Sequence, residues 1–286
     1  MRRQLKLSQQ NATCVEGLMF HLIEHPESFF SDYLKLTGIA HLEPEVVGDE
    51  KLIGKRLGVL NGASWIMGWS YYFGRRYLPG VHLINVGNEA VQINFMQAHR
   101  EGKPVPPASN IATFVEYAKD LVELAHVDAI LITCSTMNRS YPAVSEAMQK
   151  YGVPVVQIDM PMMEAAVREG GKTLIIATHG PTVENTKLLL GETAERMGES
   201  ITYRGLDLEA AWCRLAQADV AGHNEVLAEG IRQATEQEPF NSVVLAQLSM
   251  SAFLFTYPDP IETFGIPVFT SGQCGFERVR EILLQR

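Results

Sequence analysis

Apolar residues fall along this chain in two alternating rhythms. Short continuous runs, rich in β-branched side chains, are separated by longer stretches whose apolar positions recur at helical spacing. Four runs occupy the first half: Leu57-Gly58-Val59-Leu60, Val81-His82-Leu83-Ile84-Asn85, Ala129-Ile130-Leu131-Ile132 and Val153-Pro154-Val155-Val156-Gln157-Ile158. Four more follow: residues 173–177, residues 201–206, Val243-Val244-Leu245-Ala246 and Ile266-Pro267-Val268-Phe269-Thr270. Each predicts a strand, and a run such as Ala129–Ile132, apolar on both faces, predicts a buried parallel one. Between them the spacing predicts helices from Trp65, over 111–125, on to Lys150, from Asp159 to Gly170-Gly171, over 183–197, over 218–236 and over 276–284, with 89–99 partly helical. Strand and helix in alternation imply parallel sheets joined by right-handed crossovers.

The pattern then repeats. Residues 128–136 (DAILITCST) align with 241–249 (NSVVLAQLS), and Tyr151-Gly152-Val153-Pro154-Val155 aligns with Phe264-Gly265-Ile266-Pro267-Val268 in the same register. A register shared by separate segments marks an internal repeat. The expected architecture is α/β: two pseudo-symmetric lobes, each a parallel sheet flanked by helices, with a cleft where their strand ends face each other. The boundaries are 54–168 for the first lobe and 169–275 for the second, the last helix (276–286) packing on the first. Residues 1–53 form an N-terminal extension. Within it a helical pattern over 14–31 is broken at His25-Pro26, and 34–49 has no clear period. Covering the body or forming an oligomer contact is its expected role.

Composition narrows the function. With 46% hydrophobic and 20% charged residues, the 286-residue chain has the make-up of a soluble globular protein. A net charge of −9 argues against a nucleic-acid partner, which calls for a basic face. Neither a secretory leader nor a bilayer-spanning run is evident. Cys14, Cys134, Cys213 and Cys274 lie far apart without ligand spacing. That predicts free thiols, a reducing cytoplasm and no metal site. Without a GxGxxG, a P-loop lysine or a ligand cluster, neither nucleotide nor other cofactor is expected.

Function in open α/β sheets gathers beyond the carboxyl ends of the strands. Four loops lie there: Asn61-Gly62-Ala63-Ser64, Cys134-Ser135-Thr136, Thr178-His179-Gly180-Pro181-Thr182 and Gln247-Leu248-Ser249. Each precedes a helix, so backbone N–H groups and hydroxyls converge on a site suited to a carboxylate. Cys134, beside hydroxyls and near a helix start, is expected to have its thiol acidity raised, which makes it a proton donor, base or nucleophile. The plainer alternatives are a structural thiol at Cys134, N-caps at Ser64, Thr178 and Thr182, and a loop thiol at Cys274. The methionines around Met160 and the aromatics Trp65, Trp69, Tyr71 and Tyr72 read as packing, some of them as a pocket wall selecting an apolar substituent.

The doubled layout, the Cys-Ser-Thr loop and the later Ala-Thr-x-x-x-Thr loop together resemble the aspartate/glutamate racemase superfamily, which includes hydantoin racemases, maleate isomerases and arylmalonate decarboxylases. The resemblance spans residues 54–286. It implies a cofactor-independent enzyme that moves a proton at the carbon next to a carboxylate, with a cysteine from each half facing the reacting carbon, a small carboxylate substrate and a homo-oligomeric state. Carried over, Cys134 is the first-half cysteine and Ser135 and Thr136 are its polar neighbours. Ser64, Thr178 and Thr182 match the carboxylate-binding loops, and Asn61, Gly62, Gly180, Gln247 and Ser249 beside them are expected to contact the substrate. The departure is Gln247, which stands where the second cysteine would be and exchanges no proton at neutral pH. Four readings stay open: a Cys134/His179 pair that isomerises or racemises, a single-cysteine decarboxylase, covalent addition of Cys134 to an unsaturated acid, and a carboxylate-binding protein without catalysis.

Overall fold

A computed structural model describes residues 25–38 and 47–286. Its strands are β1 (Arg56–Asn61), β2 (His82–Gly87), β3 (Ala129–Ile132), β4 (Val155–Gln157), β5 (Lys172–Ala177), β6 (Thr202–Asp207), β7 (Ser242–Leu245) and β8 (Val268–Thr270). They make two four-stranded sheets of the same order, β2-β1-β3-β4 and β6-β5-β7-β8, parallel throughout. The helices are α1 (Pro26–Thr37), α2 (Met67–Tyr77), α3 (Glu89–Arg100), α4 (Ala108–Glu123), α5 (Tyr141–Gln149), α6 (Asp159–Glu169), α7 (Gly180–Met197), α8 (Glu209–Ala216), α9 (Val220–Gln237), the single turn α10 (Phe253–Thr256), α11 (Pro260–Phe264) and α12 (Ser271–Leu284).

Alternation along each strand sorts its side chains to two faces. In the first sheet Leu57, Val59, Ala129 and Leu131 pack with Phe276, Val279 and Leu283 of α12, while Leu60, Ile130 and Ile132 pack with Phe114 and Leu121 of α4 and Val144 of α5. In the second, Leu174, Ile176, Val243 and Leu245 meet Leu227 and Ile231 of α9, while Ile175 and Val244 meet Met162, Met163 and Val167 of α6 and Leu189 and Leu190 of α7. These strand side chains are fully buried, each contributing about 1.5–3 kcal/mol relative to exposure.

The repeat is visible in local chemistry. The backbone N–H of Arg56, opening β1, donates to Asp128 Oδ2 at 2.8 Å; that of Lys172, opening β5, donates to Asn241 Oδ1 at 2.9 Å. Asp128 and Asn241 are aligned positions, so the same strand-start clasp is made in both halves. The closing helices are exchanged. α6 follows the first sheet in the chain but packs on the second, and α12 follows the second but packs on the first. The two meet at Gly275, where a Cβ would come within 2.4 Å of Ile158 Cγ1 and 3.0 Å of its carbonyl oxygen.

Several local expectations change. Pro26 starts a helix rather than breaking one, because a proline at the first position surrenders an N–H that has no intrahelical partner. The segment read as aperiodic from residue 34 is helical as far as Thr37, and α1 packs against α2. The helical pattern over 14–31 falls largely outside the described residues, as does Cys14. Residues 209–216 form α8, a helix that the spacing did not mark. Cys213 is disulfide-bonded, whereas Cys134 and Cys274 are free. The expectation of free thiols therefore fails at Cys213.

Candidate active site

The loops beyond the carboxyl ends of β1, β3, β5 and β7 close on one interlobe cavity of about 230 Å³. From the first lobe Gly62, Cys134, Ser135 and Thr136 line it; from the second, His179, Thr182, Gln247 and Ser249 do. A second hollow of about 250 Å³ shares Thr136, His179 and Thr182 and adds Thr178, Gly180, Asp207 and Glu209.

Cys134 and Gln247 hold the same place in their lobes. Each is an extended residue just after its strand and just before a 3₁₀ turn, Ser135–Ser140 in one and Leu248–Ala252 in the other. The Cys134 sulfur lies 3.0 Å from Thr136 Oγ1 and faces the backbone N–H groups of Thr136 and Met137. Burial nevertheless dominates and pushes its pKa up; those hydrogen bonds pull the other way, and Asp159 adds to the rise. The thiol therefore rests protonated at neutral pH, the reverse of the expected activation, because the low-polarity surroundings outweigh the donors.

Room for that sulfur comes from Gly62. A Cβ at this position would sit 2.3 Å from Cys134 Sγ and 3.1 Å from its Cβ. In the second lobe Thr178 follows β5 as Gly62 follows β1, and it reaches its neighbour through hydrogen bonds. Its N–H and Oγ1 both donate to Gln247 Oε1 at 2.8 Å. A backbone N–H can only donate, so the oxygen of the Gln247 amide must face Thr178. The NH₂ end is left to donate elsewhere.

His179 lies against the indole of Trp212, ring centroids 5.1 Å apart. Burial lowers its pKa, against the opposing pull of Asp207 and Glu209. Its neutral imidazole is a base at pH 7.

Asp159, the first residue of α6, is an acid that the sequence pattern presents only as a helix start. It is 3% exposed and accepts a hydrogen bond from Ser135 Oγ at 3.3 Å. Burial raises its pKa to about 7, the Ser135 bond opposing. Its proton is kept in the folded state well above the pH at which the unfolded chain loses it. The stabilisation this represents is complete below the ordinary carboxylate pKa and disappears as pH climbs toward 7. Asp159→Asn is therefore expected to gain on the wild type between pH 4 and 8, by roughly 3–4 kcal/mol at most. Urea titrations at both pH values check it, and a constant difference would show that Asp159 ionises normally.

Other expected site residues sit further out. Asn61 is fully buried beneath the loops, where its amide donates to Asn85 Oδ1 and accepts from Ser70 and Thr133. Ser64 is exposed, and both its N–H and its hydroxyl bond to Glu89 Oε1. Gln92, Phe95 and Met96 of α3, and Trp65 and Trp212, wall the cavity as well. Cys274 is absent from that lining, and burial raises its pKa to about 12. Among the described residues no group of three or more His, Cys, Asp or Glu could hold a metal, and no helix is long and apolar enough to cross a membrane.

Residues 90–279 match the family of Asp/Glu/Hydantoin racemases, about two thirds of the chain. The chain belongs to that family. The matched span takes in Cys134, His179 and Gln247 but begins after Gly62 and Trp65. Solved racemase structures share the fold. The chain is similar to an allantoin racemase from Klebsiella pneumoniae, with TM-score 0.57 and 16% identity over 81% of this chain and 89% of that one. It is also similar to an aspartate racemase homologue from Pyrococcus horikoshii, with TM-score 0.55 and 16% identity over 80% of this chain and 99% of the other. A glutamate racemase from Francisella tularensis, in complex with D-glutamate, gives TM-score 0.56 at 14% identity, covering 81% of each chain. No curated relative matches the sequence.

Proposed function

We propose that the protein is a cofactor-independent racemase or isomerase that moves a proton at the carbon next to a carboxylate, with Cys134 and His179 as the exchanging groups. The observation that carries this is their shared cavity: a thiol from one lobe and an imidazole from the other, among neutral donors. The charge states favour a definite order. With Cys134 protonated and His179 neutral, His179 takes the α-proton and Cys134 donates its own to the opposite face. That leaves thiolate and imidazolium, which run the reverse reaction or are reset through solvent. Between the transfers the substrate is an enediolate. Its charge is met by the Gln247 NH₂, the hydroxyls of Ser135, Thr136, Thr182 and Ser249, and backbone N–H groups, the kind of preorganised donors that usually stabilise such an anion most.

A second reading, a single-cysteine decarboxylase, draws on Gln247: fixed by Thr178, it donates hydrogen bonds but accepts no proton. There the carboxyl group leaves as carbon dioxide and Cys134 protonates the remaining enediolate. Proton NMR in heavy water separates the two. Racemisation predicts deuterium at the α-carbon with every carboxyl group kept, at a rate level across neutral pH and falling on the acid side as His179 protonates. Carbon dioxide release favours the lyase. Neither product from a panel of α-substituted acids would leave the family membership without this chemistry.

A further inference from the structure

One wall of the reaction cavity is shared with another hollow. Trp65, from the loop after β1, and Trp212, in α8, line both the cavity beside Cys134 and an adjoining one of about 410 Å³. Their rings meet edge to face across the two lobes, centroids 5.9 Å apart. Beyond them the outer hollow is lined by Trp69, Leu215, Ala216, Ala218 and Val220, all apolar. The inner cavity is apolar on this side too, through Ile66, Phe95 and Leu248.

Charge points the same way. Among the described residues no lysine or arginine lines the inner cavity or the hollow next to it; the titratable side chains of that hollow are His99, His179, Asp207 and Glu209. A second carboxylate on the substrate, as in an acidic amino acid, would find no guanidinium or ammonium there and would meet Asp207 and Glu209. A flat apolar group would find two indoles set for edge-to-face contact and an apolar hollow behind them.

We infer that Trp65 and Trp212 form a subsite for an uncharged planar apolar substituent on the reacting carbon, reaching toward the outer hollow, so that the substrates are aryl-bearing monocarboxylates rather than dicarboxylates. This rests on the proposed carboxylate chemistry for where the reacting carbon lies, but its test is binding, not turnover.

Affinities are measured by tryptophan fluorescence and ligand-observed NMR on the full-length Cys134→Ala variant, in which racemisation does not intervene. The probes are acetate, succinate and phenylacetate. Phenylacetate is expected to bind about 30-fold more tightly than acetate, the gain anticipated from burying one ring. Succinate is expected to bind no better than acetate. Trp212→Ala should reduce the phenylacetate-to-acetate ratio about tenfold, on the scale of one aromatic contact plus its buried area. Ala216→Trp, which fills the outer hollow instead of emptying it, should reduce the ratio for a longer probe, 4-phenylbutanoate, and guards against a folding defect in the first variant. A ratio near one in the starting protein, a preference for succinate, or a phenyl preference untouched by both substitutions would overturn the subsite. Deuterium exchange into small acids with no phenyl preference would sink this inference alone. Tight phenylacetate binding without exchange by the wild type would sink the reaction and leave the subsite standing.

Discussion

Cys134→Ala is expected to reduce racemisation by about 10²–10⁴-fold, the range that a positioned acid or base contributes. The thiol is the proton donor in the proposed order and, in the reverse direction, its conjugate base accepts. Alanine keeps the backbone of the loop and removes one partly buried sulfur from the cavity wall, so the fold should be little disturbed. Serine is not a substitute, because its hydroxyl ionises far too weakly to take the thiolate's part. The measurement is the rate at which one enantiomer becomes the other, with circular dichroism of the protein as the control for folding; deuterium entry with retention, through His179 alone, is expected to persist. Undiminished racemisation in a folded Cys134→Ala protein would take the sulfur out of the mechanism.

Gly62→Ala should approach that loss without touching the thiol chemically. A methyl group at this point would overlap the sulfur at 2.3 Å. The cysteine side chain can yield only by rotating, which gives up its 3.0 Å contact with Thr136 Oγ1. Misplacing a reacting group by an ångström costs on the order of 10²-fold. Overpacking is expected to lower stability by about 1–3 kcal/mol at the same time. Racemisation rate, the pH dependence of Cys134 alkylation and the urea midpoint, measured together, separate the two effects. Wild-type racemisation in Gly62→Ala would mean that the loop relaxes around the added methyl group.

Much of this geometry is written in the chain. The strand runs are legible because parallel strands buried on both faces leave no polar alternation, and Cys134 and Gln247 follow from the repeat that aligns them. Parallel topology then forces the loops after β1, β3, β5 and β7 to one end. What stays hidden depends on partners distant in sequence. Asp159 looks like any acid in a first helical turn, since its burial comes from Ser135 and the packed body around it. Asn61 has the profile of a ligand-binding loop residue, yet Asn85, Ser70 and Thr133 tie it beneath the surface. The thiol's weak acidity is not legible either, because neighbouring donors can be read from CST while desolvation cannot. Trp212 stands in a helix of eight residues, too short for its spacing to announce it, and its relation to Trp65 exists only across the lobes.

The crossed helices α6 and α12 bear on how the two halves sense each other. Each is joined in sequence to one sheet and packed on the other, and the two helices also touch. A change of volume in either helix is therefore felt on both sides of the cavity that holds Cys134, through packing and not through any contact with what binds there.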